Sequence, residues 1–463
     1  MELNDIKKDL FYEPKHAMEI VDDAVVKAAD DFCEGYKKYL DEAKIERETV
    51  DFFVKEAEAR GYTEFDRTKK YVAGDKVYYN NRGKAIILCV FGKKSISEGV
   101  KISAAHIDSP RLDLKPNPLY EDSSLAFFKT HYYGGIKKYQ WTAIPLALHG
   151  VVVKANGESV KVCIGEDDND PQFVITDLLP HLANDQMKQT MSDGIKGEQL
   201  NILIGSRPFS KDEGADKVKL NIMKILNEKY GIVEGDFLSA ELELVPAFKA
   251  RDIGLDRSLI GAYGHDDKVC AYPAAQAIFD VVEPEYTCLT VLADKEETGS
   301  DGNTGLHSSY MKYFISDLAV MENVEPWRVM SASECLSADV NAAFDPNFPE
   351  VSERKNSSFV NNGVVITKYT GARGKGGTSD ASAEYMGKIR RMLNANDVVW
   401  QIGELGKVDA GGGGTVAMYV ANLDIDTIDL GVPVLSMHAP LEVVSKLDVY
   451  MAYKAFKVFF EQK

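Results

Sequence analysis

The sequence has no CxxC pair, no low-complexity tract and no internal repeat, and none of its apolar runs approaches the roughly 18 residues of a membrane span. The first absence removes the thiol-pair metal and redox motifs. The six cysteines (Cys33, Cys89, Cys163, Cys270, Cys288, Cys335) stand singly, mostly inside apolar runs such as AIILCVF and YTCLTVLAD. They are expected to be buried free thiols of a reducing compartment. The stretch MELNDIKKDLFYEPKH has no apolar h-region, so no secretory signal is expected. Positive charge is short as well. Lys and Arg number 54 against 72 Asp and Glu, a formal charge of −18, whereas nucleic-acid backbones are held by clustered Lys and Arg. These absences exclude a nucleic-acid partner and a membrane protein. They lead us to expect a soluble, cytoplasmic one whose acidity serves solubility.

What is present is an ordinary globular composition, 45% hydrophobic and 27% charged, over 463 residues, more than one ordinary core organises. Two domains are expected. Ile20, Ala24, Ala28, Phe32, Tyr36 and Leu40 recur at helical spacing. A second helical pattern carries Val50, Phe53, Val54 and Ala57 and is stopped at Gly61. AIILCVF at 85–91 and VKISAAHI at 100–107 have the unbroken apolar character of buried strands. Between 116 and 247 the texture becomes strand-rich. GVVVKANGESVKVCIG is expected to form a hairpin turning at Asn156-Gly157, and the polar stretch 184–200 a surface loop. Afterwards a helical PAAQAIFDVV, strands at TCLTVLAD, RVMSASECLSADV and VVWQIGEL, and a last helix from about Glu442 restore the first texture. The pattern predicts an α/β catalytic domain built from two segments, 1–115 and 248–463, interrupted by a β-rich domain at 116–247.

Five stretches that can carry chemistry lie mostly at or just past expected strand ends, where open α/β sheets place their sites. In AAHIDSP, His106 and Asp108 are two apart and share one side of an extended chain. A metal-binding imidazole needs its second N–H held by an acceptor, and Asp108 suits that task or the steadying of another ligand. The same His-x-Asp also reads as a strand end hydrogen-bonded to local backbone. In ADKEETGSDG, Glu296 and Glu297 follow a buried strand directly. A cation would cancel the repulsion between such carboxylates, and the adjacent side chains diverge, so one can bind metal while the other acts as a base. The alternative is a solvated acidic loop. LSADVNAAFDP puts Asp339, and VLSMHAP puts His438, at further strand exits, where either also reads as a structural residue. GHDDKV offers His265, Asp266 and Asp267 ahead of a helix, where an Asp serves equally as an N-cap. Together they form a nitrogen and oxygen set without Cys, suited to Zn²⁺, Mn²⁺ or Co²⁺. Two metals about 3.5–4 Å apart on one bridging carboxylate are a recurrent hydrolase device.

The order His-x-Asp, Asp-Asp, Glu-Glu, Asp, His resembles that of the co-catalytic metallo-aminopeptidases. AAHIDSPRLDLKP, the YGGI…W run at 133–141, LPHLA at 179–183, SADVNAAFDP, GTSDASAE at 377–384, GGGGT at 411–415 and LGVPVLSMHAPLE are similar to the branch of aspartyl and vacuolar aminopeptidases. The resemblance spans nearly the whole chain. It implies a peptidase domain with a mixed central sheet flanked by helices, interrupted by a smaller β-rich domain for oligomerisation and substrate access. It implies a homo-oligomer, a tetrahedral dodecamer, acting on peptides with two divalent metal ions per subunit, Zn²⁺ first and Co²⁺ or Mn²⁺ as alternatives. By resemblance, His106 and Asp339 would bind one metal and Glu297 and His438 the other. Asp266 would bridge them, Glu296 would be the general base, and Asp108 would orient a ligand.

One departure concerns specificity. After SAD, the branch carries pocket histidines where this chain has Val340, Asn341, Ala342, Ala343, Phe344 and Asp345, and a further histidine expected after LPHLA is Asp185. An acidic side chain needs cations or N–H donors, so neutral or basic N-terminal residues are expected at least as readily as Asp or Glu. His181, reaching a site in a neighbouring subunit, and Lys375 or Arg373 in GARGKGG are the remaining substrate candidates. The rival functions are a metal-dependent deacylase or carboxypeptidase using the same site, and a non-catalytic self-assembling particle.

Overall fold

The computed structural model of the protein describes residues 6–7, 10–12, 15–210 and 214–463. The remaining positions of the N-terminal stretch searched for a signal sequence lie outside the described residues. The central sheet has nine strands, ordered Thr63–Glu64, Lys76–Asn81, Ala85–Val90, Thr287–Ala293, Val100–His106, Glu334–Ser337, Asp426–Gly431, Val364–Thr367 and Trp400–Ile402. Its middle four, from Thr287–Ala293 to Asp426–Gly431, run parallel, and antiparallel neighbours flank them on both sides. The sheet is therefore mixed, as the resemblance implies. Ala85–Val90, Thr287–Ala293 and Val100–His106 are buried at every position, which is why their sequences are apolar without alternation.

Helices close both faces. Asp23–Glu42, Glu46–Ala59, His265–Phe279, Ala383–Ala395 and Lys446–Phe460 cover one core, and Tyr310–Met321, Pro326–Ser331 and Ala417–Ala421 the other. Asp22 caps the first helix by accepting the Val25 N–H at 3.0 Å. Its buried side is Ala29, Cys33, Tyr36, Tyr39 and Leu40, whereas Ile20 lies before the helix, 52% exposed, and Ala24 is exposed on its first turn. The apolar spacing thus begins on exposed positions, while the neighbouring Val21 and Val25 are the ones that pack against the core. Val50, Phe53 and Ala57 of the second helix are buried, and Gly61 follows its end at φ +83°, a left-handed angle that glycine adopts without strain.

A second sheet, wholly antiparallel, is ordered Ser159–Ile164, Leu146–Val153, Ala240–Pro246, Arg111–Asp122, Leu125–Tyr133 and Ile202–Gly205. It has its own core around Trp141, Leu146, Leu148, Ile202 and Leu244, against which helix Lys217–Tyr230 packs. The 146–164 hairpin turns at Lys154–Glu158, with Gly157 at φ +86°. Residues 184–200 are mostly exposed and carry only short 3-10 turns. A three-stranded sheet, Arg251–Ile253, Leu259–Ala262 and Glu442–Ser445, lies beside the site.

Three expectations are corrected. RVMSASECLSADV is not one strand: its RVMS belongs to helix Pro326–Ser331, opened by Pro326 at the first turn, and the strand is only Glu334–Ser337. The final helix starts at Lys446, because Glu442–Ser445 pairs with Leu259–Ala262, and Ser445 then caps the helix through the N–H groups of Leu447 and Asp448. Cys163 is exposed while the other five thiols are buried. Strand Ser159–Ile164 is an edge strand whose Val162 and Ile164 face inward, and alternation turns Cys163 outward. Among the described residues, no helix is long and apolar enough to cross a membrane.

Candidate active site

The four parallel strands end along one edge, and the site is built on the residues just beyond their ends. Ala293 pairs with His106, and Ser337 with Ala104, so their exits are level. His106 closes its strand. Glu296 and Glu297 stand in a short turn after Thr287–Ala293, Asp339 follows Glu334–Ser337, and His438 follows Asp426–Gly431 through the pair Pro433–Val434. Gly431 is required at the last of these exits, because a Cβ there would fall 1.7 Å from the Asp339 carbonyl oxygen. Asp266 arrives from a different direction. It follows strand Leu259–Ala262 at the start of helix His265–Phe279, where it and Asp267 keep non-helical angles.

These residues converge. Asp266 Oδ1 lies 3.1 Å from His106 Nε2 and its Oδ2 lies 3.2 Å from His438 Nε2. Glu296 Oε2 is 3.9 Å from His106 Nε2, and Glu297 Oε1 is 3.7 Å from His438 Nε2. The adjacent glutamates thus turn to different histidines. His438 Nδ1 donates to the Gly135 carbonyl at 2.7 Å. His106 Nδ1 lies 3.0 Å from the Asp108 carbonyl and 3.3 Å from its Oδ1. Asp108 is fully buried and does more than face His106. Its Oδ1 accepts the Glu296 N–H at 3.1 Å, and its Oδ2 accepts the Glu297 N–H at 3.2 Å and the Tyr133 hydroxyl at 2.8 Å.

Several residues in this arrangement had no assigned role in the sequence. Glu442 accepts the Asp266 N–H on Oε2 at 3.1 Å and the His438 N–H on Oε1 at 2.7 Å, joining two elements. Tyr133, Gly134 and Gly135 end a strand of the second sheet against the site. A Cβ on Gly134 would sit 3.0 Å from Glu297 Oε2, which explains the small pair after the tyrosine. Asp267 Oδ2 accepts the His106 N–H at 3.2 Å. Lys268, buried, donates to Ser109 Oγ, which donates to the Asp266 carbonyl. The visible signals were the YGGI run, the doubled Asp and the Glu of HAPLE, but each acts through backbone groups of residues far away in sequence. His181 is exposed on the second-sheet region, and Lys375 pairs with Asp380 at 2.7 Å over the Tyr369 ring. Within one chain, no contact among the described residues joins either of them to the cluster.

The electrostatics are those of charges crowded out of water. Burial pushes Glu296 up to about 7, with His106 opposing and Asp108 and Asp266 adding. Burial also raises Glu297 and Asp339 well above the carboxylate range, Asp266 adding at the first and Glu296 and Asp267 at the second. Asp266 moves the other way: burial resists its charge, but hydrogen bonds from His106 and His438 hold it low. Two buried oxygens of the site, Glu297 Oε1 and Asp267 Oδ1, have no hydrogen-bond partner among the described residues. Ligand-type atoms of His106, Asp266 and Glu297, and of His106, Asp267 and Asp339, lie within 4.8 Å of one another. Unpartnered buried carboxylate oxygens beside imidazoles are what a divalent cation satisfies, and this nitrogen and oxygen set fits Zn²⁺.

Comparison with known proteins agrees. The profile of the family described as aminopeptidase I zinc metalloprotease (M18) matches residues 39–460. A probable M18 family aminopeptidase 1 of Clostridium acetobutylicum is 49% identical over 459 residues, 97% of this chain and 99% of that one. The crystal structure of an M18 family aminopeptidase from Thermotoga maritima superposes with a TM-score of 0.94 at 41% identity, covering 98% of this chain and 100% of that one. A dodecamer of mApe1 from S. cerevisiae shares the fold, with a TM-score of 0.76 at 20% identity over 94% of this chain and 97% of its own.

Proposed function

The chain belongs to the M18 family of aminopeptidase I zinc metalloproteases and is a metallo-aminopeptidase, and we propose how its residues divide that work. Two divalent cations would be held, one by His106 and Asp339 and one by Glu297 and His438, with Asp266 shared by both. The observation that carries this reading is the Asp266 carboxylate, whose two oxygens face two different imidazoles at 3.1 and 3.2 Å. When bound, the cations supply Lewis acidity, which polarises the scissile carbonyl and makes water a better nucleophile near neutral pH.

The chain's own groups do the rest. Glu296 takes the proton of the attacking water on its carboxylate and returns it to the departing amine. Its carboxylate lies beside the metal-facing residues, with Oε2 3.9 Å from His106 Nε2. Asp108 fixes the turn that carries Glu296 and Glu297 by accepting both of their N–H groups. The acidic walls favour a free α-ammonium, which restricts cutting to N-termini. With Val340 to Asp345 in place of pocket histidines, neutral or basic first residues are removed at least as readily as Asp or Glu. Residues 116–247 form a domain for assembly and substrate access. Leu178, Leu179, Leu182, Met187 and Met191, all at least half exposed, offer apolar surface for a homo-oligomer. The dodecameric yeast neighbour and the resemblance support twelve copies, in which His181 reaches a neighbouring subunit's site.

The test is Glu296→Gln with metal analysis and a panel of free and N-acetylated peptides. Unchanged metal content with most turnover lost supports the assignment. Loss of metal would mean that Glu296 is a ligand, and equal turnover of acetylated peptides would mean a deacylase or carboxypeptidase.

A further inference from the structure

A second set of metal-ligand side chains lies away from the catalytic cluster, where the central-sheet helices meet the second sheet. His149 and Cys163 face each other across antiparallel strands Leu146–Val153 and Ser159–Ile164, with Cys163 Sγ 3.9 Å from His149 Nδ1. Glu48, on helix Glu46–Ala59, brings Oε1 to 2.7 Å from the same Nδ1. Ligand-type atoms of Glu48, His149 and Cys163 lie within 4.8 Å of one another. We propose that these three residues form a separate site for a borderline divalent cation of the Zn²⁺ class, joining the helix to the sheet.

Orientation supports this. His149, 2% exposed, gives its other nitrogen, Nε2, to Glu166 Oε1 at 3.0 Å. Glu166 is held in turn by the ammonium groups of Lys44 and Lys249, each at 2.7 Å. A carboxylate that accepts one imidazole N–H fixes the ring and its tautomer and points the opposite nitrogen at a metal. Glu48 is fixed as well. Its Oε2 accepts the N–H of Lys44 at 3.0 Å and caps the helix, leaving Oε1 directed at His149. Thiolate, imidazole and carboxylate make a Zn²⁺ donor set with its fourth position toward solvent, since Cys163 is exposed. On binding, the Cys163 thiol and His149 Nδ1 each release a proton to solvent, and three coordinate bonds replace the Glu48–His149 hydrogen bond. Glu48 contributes one charge and the thiolate another, so the ion is neutralised where it sits.

The sulfur makes the site readable, because the donors assigned to the catalytic centre are nitrogen and oxygen only. Titrating the full-length protein with Co²⁺ should produce a thiolate-to-metal charge-transfer band and one more bound ion per chain than in Cys163→Ser. Cys163 is the one exposed thiol of six, and Zn²⁺ should slow its alkylation at least tenfold. Glu166→Gln should weaken binding about ten- to hundredfold through the loss of orientation. Peptidase turnover of Cys163→Ser should be unchanged. A band that persists in Cys163→Ser, or an alkylation rate indifferent to Zn²⁺ at saturating concentration, would overturn the proposal.

Discussion

The hydroxyl of Tyr133 donates to Asp108 Oδ2 at 2.8 Å, joining the last residue of a second-sheet strand to the loop that leaves the central sheet. The Arg111 guanidinium lies 3.9 Å from the centre of the same ring. Asp108 therefore holds the glutamate turn on one side and the second sheet on the other.

Tyr133→Phe removes one of three donors to a buried carboxylate and keeps the ring. Stability should fall by about 1.5 kcal/mol, and kcat should fall with KM little changed, because the Glu296 and Glu297 turn loosens. Steady-state kinetics and denaturant melts check this. Unaltered kcat would show that the turn does not depend on the tyrosine.

Asp266→Ala removes a carboxylate that faces both imidazoles. Both cation positions should empty or become weak, as read by metal analysis after dialysis. A variant that keeps two tightly held ions would exclude the bridging role.

Glu442→Gln tests support of ligands rather than ligation. Both oxygens of Glu442 accept backbone N–H groups, and an amide nitrogen would oppose one of them. Metal affinity should drop about tenfold or more while the fold is retained. The readout is the free metal concentration at half occupancy, and no change would leave Glu442 without a positioning role.

A pH effect should trace to Asp429, away from the metal residues. Burial pushes its carboxyl up to about 7, with Ser337 and Thr415 hydroxyls drawing it partly back. The native state thus holds a proton that the unfolded chain releases above the ordinary carboxylate value of about 4. The neutral acid's contribution is full below that value and is lost as pH rises through 7. Relative to wild type, Asp429→Asn should gain on the order of 3 kcal/mol between pH 4 and pH 7.5. Denaturant midpoints at the two pH values measure it, and parallel pH profiles would refute it.

The buried middle of the sheet was legible because strands buried on both faces leave largely apolar runs, as in AIILCVF, VKISAAHI and TCLTVLAD. Boundaries were less legible where helix and strand share a run: nothing in RVMSASECLSADV separates the helical turn from the strand except the Pro before it. The His and acid positions stood out because charge directly after a buried strand is conspicuous. Glu442 and Tyr133 did not, since each is matched to a backbone or side-chain group on another element, and such pairing leaves no spacing in the sequence. Cys163 was misjudged because an apolar-looking run on an edge strand still alternates.

His106 enters the chain before most of the central sheet exists, whereas His438 comes after every one of its strands. Chain order therefore sets when the site can be complete. While the protein is being synthesised, the early residues emerge without their later counterparts, and the hydrolytic centre stays incomplete until the stretch around His438 and Glu442 has left the ribosome and docked.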